Sequence, residues 1–369
     1  MEHSILLEAT KKNLDIYLTS RVYSGLYFPD FFPVKRVQAL TYETLLGDTG
    51  NRVAADVVAY DSTAPIKRRK IIERLSGEIP PIRISRPLKE SDLNAYNVMK
   101  AMGVPGLNEL LNIVFGDVDF CVDGVNARME WLALQALSRG EIILNTTNNA
   151  GIVTQATIDF GLPSANKEVE GAANYYWTTG AFATNIPITD IETIIAEAKA
   201  AGSTIKYMVM NRTKWIAFRT STQVQNYTSA SYVSGAWVKL APSLKQVNEM
   251  LVSQGLPTII VIDTSIDLET AEHAIASTDP WLDTSGADRY VMFVPELPLG
   301  SFQVGPIAME TNPPKQAALA KKGHVLVSKW STVNPLVEWT MGECNAFPSF
   351  SAITSCWCLD TESHTTWGG

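Results

Sequence analysis

The sequence predicts an α+β body into which an α/β domain has been inserted. Three observations predict it. First, Val118 to Arg139 holds an apolar stripe at helical spacing: Val122, Val125, Met129, Leu132 and Ala136 fall three and four apart. Second, the stretches before and just after it alternate in the manner of strands. Third, from Ile186 onward short apolar strands alternate with helices stopped by glycine, and strand-like alternation then returns near Val337.

The helix from Val118 to Arg139 is the spine of this reading. Asp117, Asp119 and Asp123 crowd its start and Arg139 its end, so charge opposes the helix dipole correctly at both ends. Gly140 supplies a left-handed stop. Gly124 is the one local fault. Glycine costs about 1 kcal/mol against alanine inside a helix, so the ordered helix is expected to begin only after it.

The chain has 369 residues, 46% hydrophobic and 18% charged, which describes a folded globular protein of more than one core. Its net charge of -8 is uneven. Residues 1–100 carry 15 Lys and Arg against 12 Asp and Glu (+3), leaving 15 against 26 (-11) for the remainder. An acidic majority argues against a reader of nucleic-acid sequence, which would gather basic residues on one face. It leaves room for attraction between unlike regions of like chains. Cys121, Cys344, Cys356 and Cys358 are too few and too oddly spaced for a disulfide framework, and Cys356-Trp357-Cys358 lacks the spacing of a zinc knuckle. Four reduced thiols, no metal and no cofactor are expected. The start MEHSILLEATKKN is not read as a signal peptide, and no apolar run reaches the ~20 residues of a membrane span, so no membrane partner is expected.

Taken in order, residues 1–46 read as an arm. Leu6 to Leu18 fits a short amphipathic helix, and Tyr27, Phe28, Phe31 and Phe32 then need cover, on this chain's own body or on a neighbour. Arg52 to Tyr60 and Ile66 to Leu75 read as the strands of a long hairpin. Its apolar residues Val53, Val57, Ile71 and Ile72 have no evident core, and Lys67, Arg68, Arg69, Lys70 and Arg74 make its second half basic. Such a run is a solvated face, a guarded strand edge or an interface. Residues 91–116 are a helical mixture broken at Gly103, Pro105 and Gly106. Beyond the spine, Glu141 to Thr147 and Ile152 to Phe160 flank Asn148-Asn149-Ala150-Gly151, a hairpin by its turn chemistry.

In the α/β part, Thr189 with Glu192 and Ser243 with Gln246 are spaced as capping boxes, and Gly202 and Gly255 end the helices they open. Ile205 to Met210, Thr258 to Ile262 and Tyr290 to Val294 read as buried strands. Asn211 or Thr213 can cap the helix of Trp215, Ile216 and Phe218. Gly300 to Pro335 reads as irregular. Val337, Trp339 and Met341 then share one strand face, as do Ile353, Ser355, Trp357 and Leu359.

The order of these pieces resembles the major capsid proteins of tailed bacteriophages, of the Hong Kong 97-type fold, and most closely the lambda-like major capsid protein E family. The residues that carry the likeness are Arg139-Gly140-Glu141-Ile142, closing at Ile158-Asp159-Phe160-Gly161; Lys214-Trp215-Ile216-Ala217-Phe218-Arg219; and Asn334-Pro335-Leu336-Val337-Glu338-Trp339-Thr340-Met341. None is chemically distinctive alone, and their order gives the match its weight.

The resemblance implies an N-terminal arm (1–46), an extended loop lying over a neighbour (47–88), a peripheral domain with the spine helix (89–185), and an axial domain around hexamer and pentamer centres (186–334). Terminal strands (335–369) would rejoin the peripheral sheet. It further implies that the chain's main partner is itself, in hexamers and pentamers of an icosahedral shell. Portal, scaffolding and decoration proteins and packaged double-stranded DNA, bound without sequence specificity, would be the others. Assembly would occur in a bacterial host's cytoplasm. Lys67, Arg68, Arg69, Lys70, Arg74, Val53, Val57, Tyr27, Phe28 and Phe31 are the candidate interface residues.

A different class of reading rests on Asp48-Thr49-Gly50 and Asp263-Thr264-Ser265, which resemble the paired loops of two-lobed aspartic proteases, with Asp48 and Asp263 as the catalytic carboxylates. Only the second follows a strand, and the α/β character between them departs from a nearly all-β family. Walker, dinucleotide-glycine, Gly-x-Ser-x-Gly and His-Glu-x-x-His motifs are absent from the sequence.

Overall fold

The computed structural model describes residues 11–20, 25–45, 74–101, 107–149, 156–168, 177, 186–228, 232–233, 236–237, 241–269, 275–282, 286–362 and 367. The chain forms two compact units. One comprises residues 1–43, 76–132 and 301–349; the other comprises 44–75, 133–300 and 350–369.

The spine helix is longer than its stripe. It runs from Leu107 to Arg139, straight through Gly116 and Gly124, and the expected start after Gly124 is corrected. The reason is packing. A Cβ at Gly124 would lie 2.6 Å from Ile84 Cδ1, so the glycine is the hollow into which a strand residue seats. The contact offsets the ordinary helical penalty of glycine. Val118, Val122, Val125, Met129, Leu132 and Ala136 are all buried, as their spacing predicts.

The first unit is built on a six-stranded sheet whose centre is the strand Leu336–Ser349. Along its length it pairs antiparallel with Ser301–Gly305, with Val325–Val333 and with Pro81–Lys89. Val34–Arg36 adds to Ser301–Gly305 in parallel, and Ala318–Lys322 closes the other side against Val325–Val333. Gly342 lets this central strand touch the spine helix: a Cβ there would sit 2.7 Å from the Cys121 carbonyl oxygen. The region from Gly300 to Pro335, expected to be irregular, therefore holds three strands and the short helix Ala308–Thr311. Local alternation fails there because residues 325 to 329 of Val325–Val333 are buried on both faces.

The second unit carries a five-stranded mixed sheet in the order Thr258–Ile262, Tyr207–Asn211, Tyr290–Val294, Trp357–Asp360, Lys167–Glu168. The helices Pro187–Ala200, Arg212–Thr220, Thr222–Thr228 and Leu244–Ser253 accompany it. Its core joins Ile188, Ile191 and Ile194 to Met208, Phe218, Leu251 and Trp357. Ser243 and Gln246 form the full capping box, and Asn211 caps the next-door helix through Lys214 N at 2.9 Å. Thr189 with Glu192 does not act as a box. That helix begins two residues earlier with Pro187 at its first position, where a missing N–H costs nothing. The hairpin Glu141–Leu144 with Ala156–Asp159 pairs as expected, in strands shorter than the alternation implied; Ala150 and Gly151 of its turn lie outside the described residues.

Two domain boundaries move. The expected break at residue 334 falls near 300, because residues 301–333 pair into the sheet of Leu336–Ser349. The terminal strands also separate: Leu336–Ser349 joins the sheet of Pro81–Lys89, whereas Trp357–Asp360 pairs with Tyr290–Val294 of the second unit. Ile353 and Ser355 share no strand with Trp357, since Ile353–Ser355 is a 3-10 turn.

Candidate subunit interface

The arm enters the described chain as the helix Lys11–Ser20, which carries the later part of the helix expected at Leu6 to Leu18; residues 1–10 lie outside the described residues. Tyr17 stacks on Phe115 at 4.5 Å and donates its hydroxyl to Asp119 at 2.5 Å, so two residues of the spine helix hold it. Farther on, Phe28 and Phe31 are each 2% exposed and Phe32 is fully buried. Phe28 meets Phe302 edge-on at 5.4 Å and the His324 ring at 6.4 Å. Side chains this covered have no surface for a neighbour, so the interface role expected for Phe28 and Phe31 is corrected: they anchor the arm to its own body. Each contributes about 2 kcal/mol of hydrophobic burial. Tyr27 is half-buried.

Glu130 makes that anchorage specific. It is 1% exposed and accepts the backbone N–H of Tyr27 at 2.9 Å and of Phe28 at 2.8 Å. Those groups open the short helix Phe28–Phe31, which has no side-chain cap of its own. Burial raises the Glu130 pKa, against the two N–H bonds that lower it. Nearby His324 pairs with Asn126 at 2.9 Å. Burial, then the charges of Arg36 and Lys321, push it down to about 4, so it is neutral at physiological pH.

The basic loop leaves and returns through a two-stranded ribbon, Thr41–Leu45 with Arg74–Glu78. Arg74 is thus the first residue of the returning strand. Val53, Val57, Lys67, Arg68, Arg69 and Lys70, with the two expected hairpin strands that carry them, lie outside the described residues. Past the ribbon, Pro81–Lys89 presents Arg83 to Glu343 at 2.6 Å and Arg86 to Asp117 at 3.4 Å. Arg86 also stands over the Phe120 ring at 4.8 Å.

Charge is also buried in places no sequence pattern marked. Lys329 and Glu338 are 1% and 0% exposed in the first unit. Burial lowers the Lys329 pKa, and the charges of Glu338 and Asp117 oppose that shift. In the second unit Arg289 grips Asp360 at 2.8 Å, pinning the end of the last strand. Trp177 donates its indole N–H to Asp190 at 2.7 Å, donates its backbone N–H to Thr361 O at 3.1 Å, and accepts Lys214 Nζ at 3.2 Å. The nearest sequence signal was a charged residue beside apolar ones, as with Glu130 between Met129 and Trp131 and Lys329 before Trp330.

All four cysteines are free and buried. Burial pushes the thiols up, Cys121 to about 11 and Cys344 to about 12, so none is a ready nucleophile. Among the described residues no cluster of three His, Cys, Asp or Glu could hold a metal ion, and no helix is long and apolar enough to cross a membrane. Asp263 is 55% exposed and ion-paired with Arg212 at 2.9 Å, while Asp48 lies outside the described residues.

A family model described as phage major capsid protein E matches residues 22–360. The chain belongs to that family. A major capsid protein is structural, not enzymatic, so the reading of Asp48 and Asp263 as a protease pair falls. The place of this capsid protein is the virion capsid. No curated protein compared by sequence matches it. Among solved structures it is similar to a prophage capsid-protein candidate of Escherichia coli CFT073, at 16% identity and a TM-score of 0.57, covering 95% of this chain and 99% of that one. It is also similar to a phage-related protein of Bordetella bronchiseptica RB50, at 12% identity and a TM-score of 0.54, covering 95% and 97%. At such identities the likeness speaks for the fold, which is the Hong Kong 97-type capsid fold that the order of elements implied.

Proposed function

We propose that this capsid protein assembles into hexamers and pentamers that close an icosahedral shell around double-stranded DNA, held without sequence reading. The loop between Leu45 and Arg74 lies over a neighbouring copy in that shell. The observation that carries this reading is the ribbon Thr41–Leu45 with Arg74–Glu78, which launches a 28-residue excursion (46–73) bearing the basic run Lys67 to Lys70 from an otherwise acidic chain. A lone two-stranded ribbon is marginal in water and gains from cover. Long extensions also let small domains reach the roughly 800 Å² per partner that a stable contact needs. Val53 and Val57 supply apolar contact, while Lys67, Arg68, Arg69, Lys70 and Arg74 meet carboxylates of the neighbour. Exposed pairs contribute about 0 to 1 kcal/mol each, so charge sets register and association rate more than total stability. Assembly takes place in the bacterial host's cytoplasm, with scaffolding, portal and decoration proteins as accessory partners.

Changing Arg68, Arg69 and Lys70 together to Glu tests the reading. Particle formation, followed by light scattering and negative-stain microscopy, should slow or go astray while the subunit's circular dichroism and melting stay as in wild type. Normal particles from the triple variant at low salt would return the run to the status of a solvated face.

A further inference from the structure

One titratable side chain lies in the seat of the arm. His324 stands between the turn residue Gly323 and the strand Val325–Val333. Its ring meets Phe28, an anchor of the arm, edge-on at 6.4 Å, and its Nε2 lies 2.9 Å from Asn126 Oδ1 on the spine helix. Asn126 and Glu130 are one turn apart on that helix, and Glu130 accepts the N–H groups of Tyr27 and Phe28. Ring and arm therefore share one seat.

The charges that act on the ring are both positive. Arg36 donates Nη2 to Gly323 O at 2.8 Å, which fixes a guanidinium beside the residue before His324. Lys321, on the strand Ala318–Lys322, is the second cation acting on the ring, and it also pairs with Glu310. Lys35 and Lys322 adjoin these two in sequence. On the arm's side the acids are Asp30 and Glu130, which act on one another. An imidazolium formed in this seat meets two like charges and an apolar ring, so it costs more than one formed in water.

Lifting residues 25–33 off the body would uncover the ring and admit water to it. Proton uptake and departure of the arm then favour one another. His324 is a base held below its ordinary value, at about 4 in place of 6.5, so the covered state binds less proton than the uncovered one in that window. Its support of the arm is complete above about pH 6.5 and is lost as pH falls toward 4. Glu130 is linked with the opposite sign. Burial raises its carboxyl, so Glu130 takes up its proton within the closed seat, and weakening of the arm by acid belongs to His324.

We propose that His324 and Phe28 form a pH-sensitive clasp: the arm stays on its own body while the imidazole is neutral and is released when the imidazole is protonated. The sheet beneath stays intact. Val34–Arg36, which follows the arm, keeps its pairing with Ser301–Gly305 and marks where release stops. The clasp belongs to the single subunit and does not depend on the shell-building reading.

The test is hydrogen exchange on the full chain as free subunit, with each rate divided by the intrinsic rate at the same pH. The reporters are the amides of Tyr27 and Phe28, bonded to Glu130, and of Phe32, which donates to Phe28 O at 2.7 Å. Their protection should fall at least about tenfold between pH 7 and 4.5, the equivalent of one pKa unit of linkage, while the amides of Val325–Val333 hold theirs. His324→Gln keeps a donor for Asn126 and cannot be protonated in this range, so the loss should vanish. Arg36→Gln removes one of the cations that oppose protonation and should shrink it. Should His324→Gln fail to fold, ring signals of the wild-type chain in nuclear magnetic resonance decide: the imidazole's protonation midpoint should coincide with the loss of protection. An equal loss in His324→Gln, a loss spread through Val325–Val333, or a protonated ring with Tyr27, Phe28 and Phe32 still protected would each overturn the clasp.

Discussion

Glu130 of the spine helix holds the backbone N–H groups of Tyr27 and Phe28 at 2.9 and 2.8 Å, across more than a hundred residues of sequence. One buried carboxylate thereby caps the arm's short helix and sets where the chain turns toward Val34–Arg36. Removing it leaves two buried donors without an acceptor, at about 1 to 3 kcal/mol each. Glu130→Ala should lower the melting temperature and open residues 25–33 to protease. Glu130→Gln keeps one acceptor oxygen and should lose less. Equal protease resistance in Glu130→Ala and wild type would show that Phe28 and Phe31 hold the arm unaided.

Asp190 gives a prediction about pH. Burial, only partly offset by the Trp177 hydrogen bond, raises its carboxyl from 3.8 to about 7. Between those values the folded state holds a proton that the unfolded chain has released, so this group's contribution to stability falls as pH rises from about 4 to 7. Asp190→Asn keeps an acceptor for the indole and does not titrate. Its melting temperature should therefore gain on wild type as pH rises and level off above 7. Asp190→Leu, with no acceptor, should be destabilised throughout. A constant difference between Asn variant and wild type from pH 4 to 8 would contradict the burial argument.

Two glycines at close approaches should respond oppositely to alanine. At Gly124 the added methyl would meet the end of the Ile84 side chain, which can turn away, and the helix regains about 1 kcal/mol of propensity. Gly124→Ala should be nearly neutral. At Gly342 the methyl would meet the Cys121 carbonyl at 2.7 Å, which moves only with the spine helix. Gly342→Ala should cost about 1 to 3 kcal/mol in chemical denaturation. Similar losses at both sites would mean that strand and helix adjust together.

Asn248 guards a sheet edge. Its side chain accepts Ile259 N at 2.8 Å and donates to Ile259 O at 3.1 Å, occupying both backbone groups of this residue in the edge strand Thr258–Ile262 as a neighbouring strand would. Edge strands left open invite pairing with other chains. Asn248→Ala should cost about 1 to 2 kcal/mol and raise irregular aggregation of concentrated subunits, seen as light scattering without closed particles. Unchanged scattering would show that the edge is protected by other means.

The sequence alone determined what depends on near neighbours in the chain. The buried stripe from Val122 to Ala136, the strands Thr258–Ile262 and Tyr290–Val294, the Ser243 and Gln246 box and the glycine stops follow from periodicity and from backbone chemistry a few residues wide. The order of such pieces was enough to resemble the capsid family. Tertiary structure decided whatever depends on a distant partner. The spine helix passes Gly124 because Ile84 fills the gap; Ser301–Gly305 and Val325–Val333 become strands because Leu336–Ser349, whose other edge carries Pro81–Lys89, receives them in succession; Phe28 turns inward because Glu130 and Phe302 receive it. Each of these is worth only a few kcal/mol and is made by groups far apart in sequence. Local pattern carries no record of which distant surface will supply the contact, so only the folded chain shows it.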